Sequence, residues 1–309
     1  MQEDNRKESD LMSIDGFTIC IKLDIQKELG SGYTLEVKDI TKNNDTRLKG
    51  LTIMGKDSNV HPTIYMESFY DRYMEGESLA EIKESILQTF QKNRNSGKQF
   101  DVTFFTDWQE VKEKVTYKLV NYDKNREFLK DVPHKKILDF AIVYECIMEV
   151  RDFGSASVLI RNEHMKLWGT AENELHSAAF KNTPKLMGYS LSNMAEVIAE
   201  MMGCAVGDYL PMYVLTNRYK FHGAGCILYK NLLNEIAEKW GCDICIIPSS
   251  IHEVILMPVY MAGSYAEMSQ IVREVNQTQL LPEEILSDKV YLFTRETGDI
   301  MMQEEMEYE

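Results

Sequence analysis

Residues 211–258, PMYVLTNRYKFHGAGCILYKNLLNEIAEKWGCDICIIPSSIHEVILMP, decide the fold predicted for this chain. Their apolar positions and turn residues predict strand, turn, strand, helix, strand, turn and strand, in that order. Gly223 and Gly225 open the second strand, and Pro248-Ser249 suits the middle of the last turn. The polar side chains of the stretch are concentrated at its turns, so it is the first place to look for a site.

The segment FAIVYECIMEV, residues 140–150, predicts a long strand with one face on the core. Its even positions are all apolar, whereas its odd positions place Glu145 and Glu149 together on the other face. That second face is either exposed to solvent or part of a site.

Amphipathic helices alternate with strands over the rest of the chain. FTICIKLDIQKELG predicts a helix that ends at Gly30 or Gly32. Ser78 with Glu81 three residues later forms a capping box in front of another helix. Helices dominate residues 171–203, with a predicted interruption at Thr183-Pro184, because proline cannot continue a helix.

These elements together predict an α+β fold, mainly antiparallel sheet with amphipathic helices packed on it. Residues 153–169 and 221–241 share one order of elements: strand, Asn cap, helix, Trp, Gly. Duplication and convergence remain equal explanations of this similarity. The predicted organisation is a mobile leader (1–16), an N-terminal α+β unit (17–99), an α+β core (100–297) and an acidic tail (298–309).

Composition narrows the class of protein. The formal net charge is −15, from 49 acidic and 34 basic residues, and such a balance disfavours nucleic-acid binding. The basic run over 112–136, which includes Lys118, is interpreted as a solvated face. No apolar run is long enough to cross a bilayer, and the charged N-terminus lacks the apolar core of an export signal. We therefore expect a cytoplasmic protein with unpaired cysteines.

Ser250, His252 and Glu253 raise the hypothesis of a hydrolase. If a strand runs from Ile251, Ser250 and His252 lie about 6.6 Å apart, which is too far for direct activation. Glu253 then points to the opposite face and cannot orient His252. Cys242 and Cys245 form a lone CxxC that enters a strand, where the two side chains face opposite ways. The sequence therefore predicts no metal site and no cofactor.

The loop TNRYKFHG, residues 216–223, places Arg218, Lys220 and His222 beside two aromatic residues at a predicted hairpin tip. Exposed aromatic residues beside arginine are typical of protein contacts. The alternative is a structural turn in which the two following glycines relieve crowding. The residues predicted to contact a partner or ligand are Arg218, Lys220, His222, Ser249, Ser250, His252 and Glu253.

Four strings, NREFLKDVPHKKILDFAIVY, YVLTNRYKFHGAGCILY, PSSIHEVILMP and EEILSDKVY, resemble a bacterial family catalogued as a domain of unknown function. Its members come mainly from anaerobic gut bacteria, and the resemblance spans residues 33–294. It implies a cytoplasmic protein and assigns no catalytic residue.

Two function hypotheses follow. The first is a non-enzymatic interaction or regulatory module that contacts a protein partner through its polar hairpin turns. The second is a hydrolase or anion-handling transferase with a site near Ser250 and His252, using the Glu145/Glu149 face. The sequence does not define an oligomeric state.

Overall fold

The computed structural model describes residues 11–56, 61–93, 103–151, 154–203 and 211–302. The chain divides into two compact units, residues 1–42 with 46–102, and residues 43–45 with 103–309. Among the described residues the first unit contains one sheet and the second contains two, and each unit has its own hydrophobic core. All pairings between described strands are antiparallel, which confirms the predicted α+β class.

The first unit packs helices on a three-stranded sheet. Its elements are α1 (Ile14–Leu29), β1 (Tyr33–Thr41), β2 (Arg47–Gly55), β3 (Thr63–Tyr65), α2 (Glu67–Met74) and α3 (Leu79–Asn93). Phe17, Ile21 and Ile25 of α1 are fully buried, each contributing about 1.5–3 kcal/mol from loss of apolar exposure. The predicted caps are confirmed: α1 ends before Gly30 at φ 69°, and Ser78 and Glu81 bond each other in front of α3.

The second unit begins with a four-stranded sheet built around one long strand. Its strands are β4 (Val115–Asn121), β5 (His134–Ile137), β6 (Phe140–Arg151) and β7 (Gly154–Leu159). β6 pairs with β4 along one edge, and with β5 and then β7 along the other. The short helix α4 (Trp108–Val111) precedes this sheet.

A six-stranded sheet completes the second unit. Its strands are β8 (Ser190–Asn193), β9 (Tyr213–Thr216), β10 (Ile244–Pro248), β11 (Glu253–Pro258), β12 (Tyr291–Phe293) and β13 (Ile300–Met302). They lie in the order β13-β12-β10-β11-β9-β8. The accompanying helices are α5 (Asn162–Trp168), α6 (Glu172–Met187), α7 (Met194–Met202), α8 (Leu232–Trp240) and α9 (Tyr265–Gln279). The sheet extends to Met302, beyond the turn at which sequence analysis ended the core.

The main core lies between the two sheets of this unit. The even residues of β6 enter it as predicted, with Phe140, Ile142, Tyr144 and Cys146 all buried. The odd face is not solvated: Ala141 and Val143 pack in a second cluster, and Glu145 is buried at its end. Of the two predicted odd-face carboxylates, the Glu149 side chain lies outside the described residues.

The second strand predicted within 211–258 is wrong. Residues Gly223–Leu228 form a buried 3-10 helix that enters the core instead of pairing in the sheet. A Cβ added at Gly225 would lie 3.1 Å from the Tyr117 ring, so small residues permit this close packing. Residues 153–169 and 221–241 therefore share only the helix and the Trp and Gly that end it. A strand precedes the helix in 153–169, whereas a 3-10 helix precedes it in 221–241.

The predicted helix break at Thr183-Pro184 is also wrong. α6 continues through Pro184 to Met187, although Pro184 has no N–H to donate to the carbonyl four residues earlier. Thr183 Oγ1 donates to Ala179 O at 2.7 Å and accepts from Tyr117 N at 3.0 Å, which fixes this turn on β4. The interruption lies at Gly188, φ 59°, and at β8 after it.

Candidate functional site

Two neighbouring strands bring a lysine and a carboxylate together inside the second unit. Glu145 of β6 lies opposite Thr116 of β4, so Lys118 two residues further is its diagonal neighbour on the same face. Lys118 Nζ lies 3.3 Å from Glu145 Oε2, and the two side chains are 18% and 4% exposed. Ser157 Oγ of β7 donates to the same oxygen at 3.1 Å. The sheet thus buries an ion pair, and such a pair needs further hydrogen bonds to offset the free energy lost on removing both charges from water.

A tightly folded loop carries His222 to this carboxylate. Asn217, which follows β9, accepts from the backbone N–H groups of Tyr219 and Phe221 and donates to Phe221 O. Lys220 and His222 both adopt left-handed backbone conformations, with φ of 54° and 55°. Such conformations are costly for residues with side chains, so the surrounding contacts must hold them. The result is a fixed loop with the imidazole directed inward.

The imidazole of His222 lies against the buried carboxylate. Its Nδ1 is 3.3 Å from Glu145 Oε1, and its side chain is 11% exposed. Gly223 makes this approach possible, because a Cβ there would lie 2.2 Å from Thr216 Oγ1 and 2.4 Å from Asn217 N. The predicted hairpin tip is therefore not a tip at its histidine end: the chain turns into the protein at His222.

His252 lies beside His222 on the turn between β10 and β11. The two rings are nearly parallel, with centroids 5.6 Å apart and an interplanar angle of 6°. His222 N donates to His252 Nδ1 at 3.1 Å, and Thr216 Oγ1 donates to His252 O at 2.8 Å. His252 Nε2 faces Glu284 Oε1 at 3.8 Å. Contacts thus connect Lys118, Glu145, His222, His252 and Glu284 in that order. We call these five residues the acid–base cluster.

Burial and charge determine the protonation states of the cluster. Burial by itself would raise the pKa of the Glu145 carboxyl, but the adjacent Lys118 ammonium and the His222 contact outweigh it and hold that pKa well below its ordinary value. Burial, reinforced by Lys118, lowers the pKa of His222 to about 4 against the opposing effect of Glu145. Burial also lowers the pKa of His252. At neutral pH the carboxylate is therefore ionised and both imidazoles are neutral.

Hydrogen bonds then assign the tautomers. His222 carries its proton on Nδ1, because that nitrogen faces the ionised carboxylate. His252 carries its proton on Nε2, because its Nδ1 accepts a backbone N–H. Among the described residues, His222 Nε2 has no hydrogen-bond partner. A neutral imidazole oriented by a carboxylate, with its second nitrogen unpaired, can accept a proton or a hydrogen bond from a bound group.

The remaining predicted residues lie around this cluster in three different roles. Ser250 is buried, and its Oγ accepts from His252 N at 3.0 Å; it supports the turn and not the imidazole. Arg218 and Lys220 are exposed on the outer side of the loop. Glu253 shares its strand face with Ile255, and this face is on the side of the sheet away from the acid–base cluster.

The predicted strand position of Ser250 and His252 is wrong. β11 begins at Glu253, and Ser249 N and Ser250 N both point to Glu253 O, which closes the turn. Burial raises the pKa of Glu253, while Lys220 and Ser249 act in the opposite direction. Glu253 lies outside the acid–base cluster, and the carboxylate that faces His252 is Glu284.

Sequence reasoning missed three members of the assembly. The sequence places Lys118 in a solvated basic run and assigns no site role to Ser157 or Glu284. Glu284 lies in a 3-10 turn (Pro282–Glu284) far along the chain from the histidines. The only indication in the sequence was Lys118 itself, a charged residue within the mainly apolar strand segment 115–120.

Within the described parts of the chain, no group of three or more His, Cys, Asp or Glu side chains could hold a metal ion. Cys245 is a buried residue of β10, and Cys242 precedes the strand and is half-buried. Over the same residues, no helix has the length and apolar character needed to cross a membrane.

The chain belongs to a family of unknown function, DUF5688, whose model matches residues 14–295. The match extends over both units and includes every residue of the acid–base cluster. No curated protein matches the chain, and no solved structure matches it.

Proposed function

We propose that the protein is an interaction module that contacts a protein partner through two loops, residues 217–222 and 249–252. The observation that carries the proposal is the fixed loop between Thr216 and Gly223, which presents Arg218 and Lys220 to solvent while the side chains of Asn217 and His222 are held by hydrogen bonds. A loop held in one conformation loses little entropy when it binds. Arginine is also enriched among residues that dominate binding energies.

The two loops form one surface because the sheet joins them. Thr216 pairs with Glu253 in the β9–β11 ladder, and His222 N bonds the His252 ring. Arg218 and Lys220 give the first loop two positive charges, whereas the whole chain has a net charge of −15. This arrangement supports a partner that presents carboxylates to the loop. We place the interaction in the cytoplasm, a reducing compartment in which the thiols of Cys146, Cys226 and Cys245 stay free.

Quantitative affinity purification from the source cells tests the proposal. The Arg218→Ala/Lys220→Ala variant is compared with a matched control, Lys230→Ala/Arg295→Ala, which removes two exposed cations elsewhere in the second unit. We expect at least one partner to be retained by wild type and control and depleted by the loop variant. An identical partner set for all three proteins contradicts the proposal.

A second candidate function, an acid–base enzyme, is supported by one observation: Glu145 faces His222 Nδ1 and leaves Nε2 unpaired. In that function His222 accepts a proton from a substrate hydroxyl or from water. The serine hydrolase version has less support, because Ser250 Oγ contacts the His252 backbone.

Hydrolysis of p-nitrophenyl acetate and labelling by a fluorophosphonate probe separate the two versions. Hydrolysis that is lost in His222→Gln and kept in Ser250→Ala supports a general base. Labelling that is lost in Ser250→Ala supports the serine version. No hydrolysis above that of His222→Gln, together with no labelling, favours the interaction module.

A further inference from the structure

The outer face of the six-stranded sheet carries a cleft that is separate from the acid–base cluster. Ile247 and Met257 point to this face, where α9 packs over them through Val272. The cleft between α9 and the strands has a volume of about 290 Å³. Among the described residues the lining is apolar apart from Ser249 and Asn276, and none of these lining side chains is charged.

Three methionines, Met212, Met257 and Met268, contribute to the lining. Methionine side chains are flexible and polarizable, so they adapt to ligands of irregular shape. Ile271 and Val275 of α9 lie at the rim, where they are 58% and 43% exposed. The cleft thus combines an adaptable apolar wall with an open edge through which a molecule can enter.

Asn276 supplies one polar group inside this cleft. Its residue is 4% exposed, and its Nδ2 donates to Ser287 O at 3.0 Å and to Asp288 Oδ1 at 2.7 Å. Both partners are acceptors, which settles the orientation of the amide. Oδ1 is then left without a donor among the described residues. This oxygen is not sealed from solvent, and a ligand in the cleft that carries a hydroxyl or N–H group can donate a hydrogen bond to it.

We propose that the cleft binds a small, uncharged, mainly apolar molecule with one hydroxyl or N–H donor, which bonds Asn276 Oδ1. Volume sets the size: a dry apolar cavity of about 150 Å³ holds one benzene molecule, so this cleft holds about two rings or an equivalent aliphatic group. The absence of charged lining residues among those described disfavours ions, because a charge buried without a partner is strongly destabilising. Ligand binding in the cleft does not depend on the interaction proposed for the two loops, although Ser249 of the second loop also lines the cleft.

Calorimetric titration of the full chain with 1-naphthol tests the site, since this molecule has two rings and one donor. We expect saturable one-to-one binding. Val275→Trp, which fills the rim, is expected to weaken it at least tenfold, while Gln277→Trp, exposed on the same helix and outside the cleft, leaves it unchanged. Ile271→Trp is a second blocking variant in case Val275→Trp does not fold.

The donor is tested by changing the ligand and leaving the protein intact. 1-Methoxynaphthalene has the same rings without the hydroxyl hydrogen, and we expect it to bind about fivefold more weakly, the value of one net hydrogen bond. Equal affinity for both ligands overturns the role of Asn276. No saturable binding of 1-naphthol, or binding unaffected by both rim substitutions, overturns the site.

Discussion

Replacing Glu145 by glutamine removes the central charge of the acid–base cluster and keeps its shape. Lys118 then remains in the sheet without its counter-ion, and His222 Nδ1 loses an ionised acceptor. Breaking a buried ion pair by removing one partner costs about 3–5 kcal/mol. Because 18% of the Lys118 side chain is exposed, part of its charge is rehydrated, and we expect about 3 kcal/mol for Glu145→Gln.

Urea unfolding followed by tryptophan fluorescence measures this loss of stability in the second structural unit. All three tryptophans, Trp108, Trp168 and Trp240, belong to the second unit, which holds the cluster. With a denaturant slope of about 2 kcal/mol per molar urea, the midpoint should fall by about 1.5 M. The matched control is Glu127→Gln, which breaks an exposed pair with Lys130 and should leave the midpoint nearly unchanged. Equal midpoints for Glu145→Gln and Glu127→Gln would refute the reasoning.

Three further outcomes are expected. Gly223→Ala should lower the urea midpoint by at least as much as Glu145→Gln, because its Cβ meets a backbone nitrogen at 2.4 Å. Glu127→Gln, an exposed change in the same unit, again serves as the control that leaves the midpoint nearly unchanged. The free energy of unfolding should fall as the pH drops from about 6.5 towards 4, because His222 takes up its proton near pH 6.5 in the unfolded chain and near pH 4 in the folded protein. The contribution of His222 to this fall is up to about 1.4 kcal/mol per pH unit. His222→Gln should flatten that slope, and a slope equal to that of wild type contradicts the assigned protonation state. Arg218→Ala/Lys220→Ala should unfold at the wild-type midpoint, since both side chains are exposed, and a large loss of stability would show that the loop is not a free surface.

Local patterns were sufficient to predict most of the elements. Helix caps such as Gly30 and the Ser78–Glu81 pair depend on neighbouring residues only, so the sequence contains all the information needed. The even face of β6 was equally clear, because alternation over a long strand has one interpretation. The segment after His222 failed for the opposite reason. Its apolar run is as consistent with a strand as with a buried 3-10 helix, and contacts with distant residues such as Tyr117 decide between them.

The candidate site could be predicted only in part. His222 and His252 were identified because they lie at turns of one stretch, and Glu145 because it interrupts an apolar strand. Lys118 and Glu284 could not be placed, since strand register brings the first to Glu145 and a distant turn brings the second to His252. Strand register and the packing of remote segments depend on the whole fold and not on local sequence.

The protonation of His222 tests the account most directly, and long-range ¹H–¹⁵N NMR of the histidine side chains measures it. His222→Gln identifies the resonance. We predict a neutral ring at pH 7 with its proton on Nδ1, and protonation only near pH 4. A proton on Nε2, or titration of the folded protein near pH 6.5, would contradict the buried Glu145–His222 contact on which the fixed loop depends.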